Sequence, residues 1–302
     1  MRGDVIAPAV WRVRGRSIPV DRPLVVGIVN VTPDSFSDGG RYLAADAAVA
    51  RGERLAAEGA DLLDVGGEST RPQGARPVDA EEELRRVLPV VRELVRRLPD
   101  VPVSVDTVKS PVARAALDAG AAVINDVSGF RLDPAMAKVC AEAGAGVVLM
   151  HSRGTVSDMA TYAHADYGDD VTATVLAELR ARRPVARDGG VDDSAVVLDP
   201  GIGFAKRSEH SLALLAELPR LAALGRPLLV GVSRKRFVGE LSGVKEPADR
   251  VEGTVGANCA ALARGARLFR VHDVRPNRRA LDVAWAVLGR VARAAGAAEV
   301  RA

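Results

Sequence analysis

Aromatic side chains are scarce in this chain. Among 302 residues there are five Phe, three Tyr and two Trp, 3% in all. A chain of this length can bury roughly three quarters of its unfolded surface, so its core must be built from Ala, Val and Leu. Cysteine is scarcer still: Cys140 and Cys259 each stand in an Ala-rich, helical context. Two thiols exclude a disulfide framework and point to a reducing compartment. No run approaches the roughly 18 consecutive apolar residues of a membrane-spanning helix. Met1 to Val13 carries no apolar core of the secretory-signal type, and a cytoplasmic protein without a membrane partner is expected. An excess of one charge is also missing. Forty-two Lys and Arg face 39 Asp and Glu, a net charge of +3, and the signs alternate, as from Glu81 to Arg86. Such patterns are solvated helix faces and give no footprint for nucleic acid. A linker rich in Pro, Gly or Ser is absent as well, so residues 1–302 are expected to form one domain. The 48% apolar and 27% charged residues exclude a disordered chain.

What is present is one repeated pattern. A short β-branched run ends in a polar or Gly-rich loop, and an Ala/Leu/Glu/Arg helix follows. The runs are Leu24–Asn30, Asp61–Val65, Val101–Asp106, Ala122–Asn125, Gly146–His151, Ala195–Asp199, Pro227–Ser233 and Arg267–His272. Their interiors are near-continuous Val, Ile and Leu, as parallel strands covered on both faces require. Eight such units predict an α/β fold of the (β/α)8 TIM-barrel type, with a doubly wound sheet as the competing layout. Val10–Val20 reads as a short N-terminal hairpin around Arg14-Gly15, placed to cover the barrel floor.

The gaps carry helix signals. Asp79 with Glu82 is a capping pair, and Ser110-Pro111 and Asp133-Pro134 each place an N-cap residue before a proline. Gly59, Gly120, Gly144, Gly225 and Gly265 stand where helix C-caps belong. The last helix, Asn277 to about Ala295, has Leu281, Ala284, Trp285, Leu288 and Val291 on one face.

Every run ends in chemically loaded residues: Asn30 to Gly40, Gly66 to Pro72, Asp106-Thr107, Asn125-Asp126, Met150 to Gly154, Asp199 to Phe204, Ser233 to Lys235 and Arg270 to Asp273. A single polar strand end is commonly a helix cap. Eight with mixed charges, gathered at the C-terminal mouth of a barrel, point to a shared active site. Arg270 and His272 alternate along one strand and so point to the same side, inward. Such groups are costly in a core without an anionic partner.

These loops together resemble the dihydropteroate synthase family, folate-pathway enzymes inhibited by sulfonamides. The stretches that carry the likeness are GIVNVTPDSFSDGG (27–40), LDVGGESTRP (63–72), VSVDT (103–107), INDVSG (124–129), LMHSRGT (149–155), LDPGIGF (198–204), GVSRKRF (231–237) and RVHD (270–273). They occur in the family's order across nearly the whole chain. The resemblance implies a transferase that joins 6-hydroxymethyl-7,8-dihydropterin pyrophosphate to p-aminobenzoate. It further implies Mg²⁺ beside the pyrophosphate, and a homodimer.

Carried residue by residue, the resemblance assigns catalytic roles to Asp34, Phe36, Asp106, Lys235, Arg270 and His272. The pterin is implied to lie among Asp106, Asn125, Met150, Asp199, Phe204, Gly231, Lys235 and Arg270. A carboxylate such as Asp199 can accept two donors from the flat pterin edge, its bland alternative being to cap the loop that follows. Asn30, Thr70, Arg71, Arg270 and His272 are implied for the pyrophosphate, and the Asn30 amide oxygen suits Mg²⁺, with Asp34 a water-mediated second contact. Phe36, Thr70, Arg71, Pro72, Phe204, Ser233 and Lys235 are implied for p-aminobenzoate. Its neutral amine needs positioning and no general base.

Departures from the family pattern are few: Ala205 stands where glycine is common, Ser152 where Met is frequent, and the second loop reads RPQGARP. A pterin-dependent methyltransferase would not need Asn30 and Ser233 to Lys235 together. A non-catalytic relative would be free to lose Asp34, Arg71, Lys235 or His272, and all four are present. The phenylalanines cluster after strands at Phe36, Phe130, Phe204 and Phe237, with Phe269 beside Arg270, which predicts that they gather at the mouth.

Overall fold

The computed structural model describes residues 10–31, 41–68 and 78–299, with side chains described for 10–31, 44–68 and 78–290. The chain enters through β1 (Val10–Val13) and β2 (Arg16–Pro19), an antiparallel pair. Arg14 and Gly15 between them both take left-handed backbone (φ 46° and 74°). That is the turn whose twist matches a two-residue hairpin. Trp11, 1% exposed, and Val13 point down into an aliphatic cluster with Val26, Leu62, Val123 and Leu268 at the start of the barrel strands. The indole Nε1 donates to the Ala195 carbonyl at 2.7 Å. The hairpin therefore plugs the barrel floor, as expected.

Eight parallel strands follow: β3 (Leu24–Asn30), β4 (Leu62–Gly66), β5 (Val103–Asp106), β6 (Val123–Asp126), β7 (Gly146–Met150), β8 (Val196–Asp199), β9 (Leu229–Val230) and β10 (Leu268–Val271). They pair in the order β8-β7-β6-β5-β4-β3-β10-β9. A parallel bridge from Leu198 to Leu228 joins the two ends and closes the barrel. Helices α1 (Arg41–Ala57), α2 (Ala80–Arg97), α3 (Ser110–Asp118), α4 (Met136–Glu142) and α5 (Val171–Asp188) alternate with the strands. After β8 come α6 (Ser208–Ala216) and α7 (Leu218–Ala222). After β9 come α8 (Arg236–Ser242) and α9 (Val251–Ala263), and α10 (Val274–Glu299) closes the chain.

Helix α2 shows why these segments fold as they do. Asp79 caps it by accepting the Glu82 N–H at 2.8 Å. Three glutamates fill the first turn and two arginines the last, complementing the helix dipole. Val87, Val90, Val91 and Leu94 recur at helical spacing and are wholly buried against the barrel. Each such side chain contributes about 1.5–3 kcal/mol by leaving water. The five glycines expected at helix ends all take left-handed backbone.

Several expectations are corrected. Ser110 is the first residue of α3 and not its cap; the N-cap is Lys109, without a capping side chain. Asp133, from the lead-in to α4, instead accepts the Ser110 N–H at 2.7 Å and the Ala135 N–H at 2.9 Å. It does not cap α4, whose N-cap position is Ala135. The run Pro227–Ser233 is strand only at Leu229–Val230, because only those two residues pair with β10; Leu228 makes a single bridge to Leu198, and past Val230 the chain leaves the ladder ahead of the turn at Arg234 (φ 59°). The phenylalanines also divide differently. Phe130, Phe237 and Phe269 are buried in the main aliphatic core, and Phe204 packs beside Val108, Val127, Met150 and Met159 at the mouth. Helix α10 starts at Val274, three residues earlier than expected, and its Trp285 packs on the barrel with the Arg267 guanidinium 4.9 Å from the ring centroid. The Val291 side chain lies outside the described residues.

Candidate active site

The strand ends meet around Arg270. The β10 arginine donates from Nε to Asp64 Oδ2 at 2.6 Å and from Nη2 to Asp106 Oδ2 at 2.8 Å. Asp64, on β4, is 1% exposed. It also accepts the Ser104 hydroxyl at 2.6 Å and the Asn125 amide at 3.2 Å. The protein itself thus supplies the anionic partners that the inward arginine requires. Burial, which works against the charged guanidinium, is outweighed by Asp64 and Asp106, and Arg270 stays firmly protonated. Burial pushes the Asp106 carboxyl up to about 7; Arg270 opposes this, and the neighbouring Asp64 adds to it. Asp64 escaped the sequence reading. Its signal is an acid inside an otherwise aliphatic, doubly covered strand, where an unpaired charge is costly.

Asp199 ends β8 on the far wall. One of its oxygens accepts the Gly201 N–H at 2.7 Å, so the loop-capping role exists alongside the proposed ligand role. Burial raises its pKa, against the pull of Lys235 and that backbone bond. Gly201 has left-handed backbone (φ 66°), and a Cβ there would lie 1.9 Å from the His151 carbonyl oxygen. Only glycine lets this loop pass so close to the end of β7. Lys235 reaches across to the Ile202 carbonyl, with its ammonium 4.6 Å from the Phe204 ring centroid. Burial lowers its pKa to about 8, with Asp199 resisting. Met150 and Phe204 form the apolar part of this wall. Gly231 borders it: a Cβ there would stand 3.9 Å from Lys235 Nζ. Ala205, where glycine is common, adopts left-handed backbone (φ 48°). That conformation costs an L-residue roughly 1–2 kcal/mol, which is the physical reason for the usual glycine.

Ser233 and His272 were expected in separate subsites, and the structure brings them together. The Ser233 hydroxyl lies 2.9 Å from His272 Nδ1 and accepts the His272 N–H at 3.1 Å. The left-handed Arg234 between Ser233 and Lys235 turns its guanidinium onto Asp273 at 2.6 and 2.9 Å, and its N–H donates to Thr254 at 3.0 Å. Backbone strain of this kind persists where the surroundings over-determine it.

A second network stands behind the Asp199 loop and was not foreseen. Lys206, 2% exposed, donates to His151 Nδ1 at 2.8 Å and to the Phe204 carbonyl at 3.0 Å. His151 Nε2 meets Glu178 at 2.9 Å, and Arg153 pairs with the same carboxylate. The Glu178 carboxylate only accepts, so Nε2 carries the proton and the neutral imidazole presents Nδ1 as an acceptor to Lys206. Burial, aided by Lys206, lowers the His151 pKa to about 4. Burial likewise depresses Lys206 far below its usual value.

Asn30 is exposed at the end of β3. Asp34, Phe36, Thr70, Arg71 and Pro72 lie outside the described residues. Among the described residues no cluster of three or more His, Cys, Asp or Glu is arranged to hold a metal ion.

A parallel barrel whose mouth gathers carboxylates, an amide, a lysine and an arginine around an apolar wall has the layout of a barrel enzyme's active site, and the family match makes it a pterin-binding enzyme. Residues 26–272 match the family described as pterin binding enzyme. The chain is 50% identical over 268 residues to the dihydropteroate synthase of Mycobacterium leprae (strain TN), covering 86% of this chain and 93% of that one. Its fold is similar to that of Xanthomonas albilineans dihydropteroate synthase solved with 4-aminobenzoic acid (TM-score 0.85, 50% identity, 93% and 98% of the two chains). The same enzyme solved with 7,8-dihydropteroate gives a TM-score of 0.81 at 48% identity, covering 92% and 98%. The chain belongs to the dihydropteroate synthases, transferases of folate synthesis.

Proposed function

We propose that this chain condenses 6-hydroxymethyl-7,8-dihydropterin pyrophosphate with p-aminobenzoate, releasing pyrophosphate and forming 7,8-dihydropteroate. The observation that carries this reading is the facing pair of walls, Asp106, Asn125 and Arg270 on one side and Asp199, Lys235 and Phe204 on the other. Asp199 accepts the pterin's N–H donors, Asn125 meets the adjoining edge, and Lys235 donates to the ring's acceptors. Met150 and Gly231 border the ring. The C–O bond to pyrophosphate breaks first, and the ionised Asp106 stabilises the cation that develops on the pterin methylene. The neutral p-aminobenzoate nitrogen then attacks that carbon and loses a proton to solvent.

Arg270 and His272, with Asn30, Thr70 and Arg71, hold the departing pyrophosphate. The hydrogen-bonded Ser233–His272 pair marks the seam at which the p-aminobenzoate carboxylate, on Ser233, meets the pyrophosphate site. Phe204 and the Lys235 stem contribute to holding the aromatic ring, with roles there also assigned to Phe36, Thr70, Arg71 and Pro72 and a water-mediated contact to Mg²⁺ assigned to Asp34. Mg²⁺ fits this donor set as an ion that arrives with substrate: one exposed hard oxygen, on Asn30, suits a cation that keeps several waters. When bound, it supplies charge neutralisation to the pyrophosphate.

The chain is proposed to act as a homodimer. The support is an apolar edge on α10, where Val283 (67% exposed) and Val287 (57% exposed) lie one turn apart. The cytoplasm is the proposed compartment, both cysteines being free thiols. The test is direct. With Mg²⁺, the dihydropterin pyrophosphate and p-aminobenzoate, the purified protein releases one pyrophosphate per dihydropteroate. A protein that binds the pterin but makes no product is a binding protein, and the reading fails.

A further inference from the structure

Asp64 touches two of the groups that build the pterin wall, Asn125 and Arg270, yet it is buried away from the mouth. It sits on β4, between the strands that carry Asn30 and Asp106. Its Oδ1 accepts from Ser104 on β5, and its Oδ2 accepts from Asn125 on β6 and from Arg270 on β10. A charge buried this deeply must be satisfied by donors, and three surround it.

The chemistry of those contacts has a consequence for Asn125. An amide side chain can present either its oxygen or its nitrogen, and flipping it exchanges the two. A buried carboxylate only accepts, so it holds the Asn125 NH₂ and turns Oδ1 elsewhere. Arg270 is constrained by the same atom: Oδ2 takes its Nε, which aligns Nη2 on Asp106. One carboxylate therefore sets the orientation of an amide and of a guanidinium on two different strands.

We propose that Asp64 is a positioning residue for pterin recognition: it fixes the amide of Asn125 with its oxygen toward the ring's N–H donors and holds Arg270 against Asp106. This rests on the reaction proposed above and adds to it the residue that chooses which ring edge Asn125 reads. Asp64 does not contact substrate. The groups that face Asp106 electrostatically are Arg270, Asp64, Glu83 and Asp126. Arg270 lowers the Asp106 pKa and the three carboxylates raise it; Asp64 is the largest of those three, so its removal shifts the balance toward Arg270 and lowers that pKa.

The experiment uses the full chain with Mg²⁺ and the conservative variant Asp64→Asn. Calorimetric titration with the dihydropterin pyrophosphate, in the absence of p-aminobenzoate, is expected to show roughly 10- to 100-fold weaker binding, the usual effect of losing a hydrogen bond to a charged group. The KM for p-aminobenzoate is expected to change less than threefold. The acid limb of the pH–rate profile is expected to move to lower pH. Should Asp64→Asn not fold, Ser104→Ala, which removes one of the three donors, is expected to weaken the same titration severalfold. A folded variant with pterin affinity within twofold of wild type, or with both substrates weakened alike, overturns the proposal. So does a drop in melting temperature with neither binding nor the acid limb moved. Binding is read without turnover, so a wild-type chain that makes no dihydropteroate fails the proposed reaction and leaves the Asp64 comparison intact.

Discussion

The Lys235 ammonium lies 4.6 Å from the centre of the Phe204 ring and shares its wall with the buried Asp199 carboxylate. A cation over an aromatic face is stabilised by the ring's quadrupole, and Asp199 adds to this. Burial still prevails and brings the lysine down to about 8. Below that pH the side chain is a cation able to donate to the pterin; above it the charge is gone. For the pterin substrate, kcat/KM is therefore expected to fall as pH rises through about 8. Lys235→Arg keeps its charge and should move that limb upward, even at lower overall activity. A limb that stays near 8 in the arginine variant would assign it to another group.

The two substrates are expected to respond to different residues. Asp199→Ala removes the acceptor for the pterin's donors and should weaken pterin binding by about 10- to 100-fold, as for other lost charged hydrogen bonds. Phe36→Ala should leave pterin binding nearly unchanged and raise the KM for p-aminobenzoate. Titration with each substrate separately, followed by steady-state kinetics, measures both. Equal losses for both substrates in either variant would contradict the division of the site.

Much of this was legible in the sequence, for a specific reason. Asp106, Asn125, Asp199, Lys235 and Arg270 stand at or just beyond the ends of parallel strands, and closure of eight strands brings all such ends to one mouth. Asp64 was hidden because its meaning depends on partners far along the chain: Arg270 is 206 residues away. The alternation of one strand gives a side chain's face but says nothing of what faces it across the barrel. The Lys206–His151 contact spans 55 residues and was obscured in the same way. The phenylalanines misled because a position just after a strand can face either the mouth or the core. Phe130 and Phe237 took the core. The short β9 reflects how few of its residues find a partner on β10, which residue type alone does not announce.

The hairpin makes a separate claim on stability. Trp11 buries its ring against the strand starts and donates its indole N–H to Ala195. Trp11→Ala should cost about 3–5 kcal/mol, as large-to-small changes in cores do. Trp11→Phe, which keeps most of the apolar area, should cost less and leave the Ala195 carbonyl unpaired, about 1–3 kcal/mol. Urea unfolding measures both. If the alanine variant loses under 1 kcal/mol, the hairpin is not a structural plug.

His151 should make the protein acid-sensitive well above the range in which most carboxylates titrate. Its pKa falls from 6.5 to about 4 in the folded state, chiefly through burial and then through Lys206. Between those values the unfolded chain binds more protons than the folded one, so stability declines as pH falls. The contribution is complete above about 6.5 and lost by about 4, and a fall of that size is linked to about 3 kcal/mol. Glu178, whose pKa is lowered first by its bond to His151, continues the loss below its own usual range. His151→Gln preserves an acceptor for Lys206 and a donor for Glu178 without a titrating ring. Urea unfolding at intervals from pH 7 to 4 should show a steep decline in the wild type and a flatter one in the glutamine variant. Parallel declines would assign the acid sensitivity to groups other than His151.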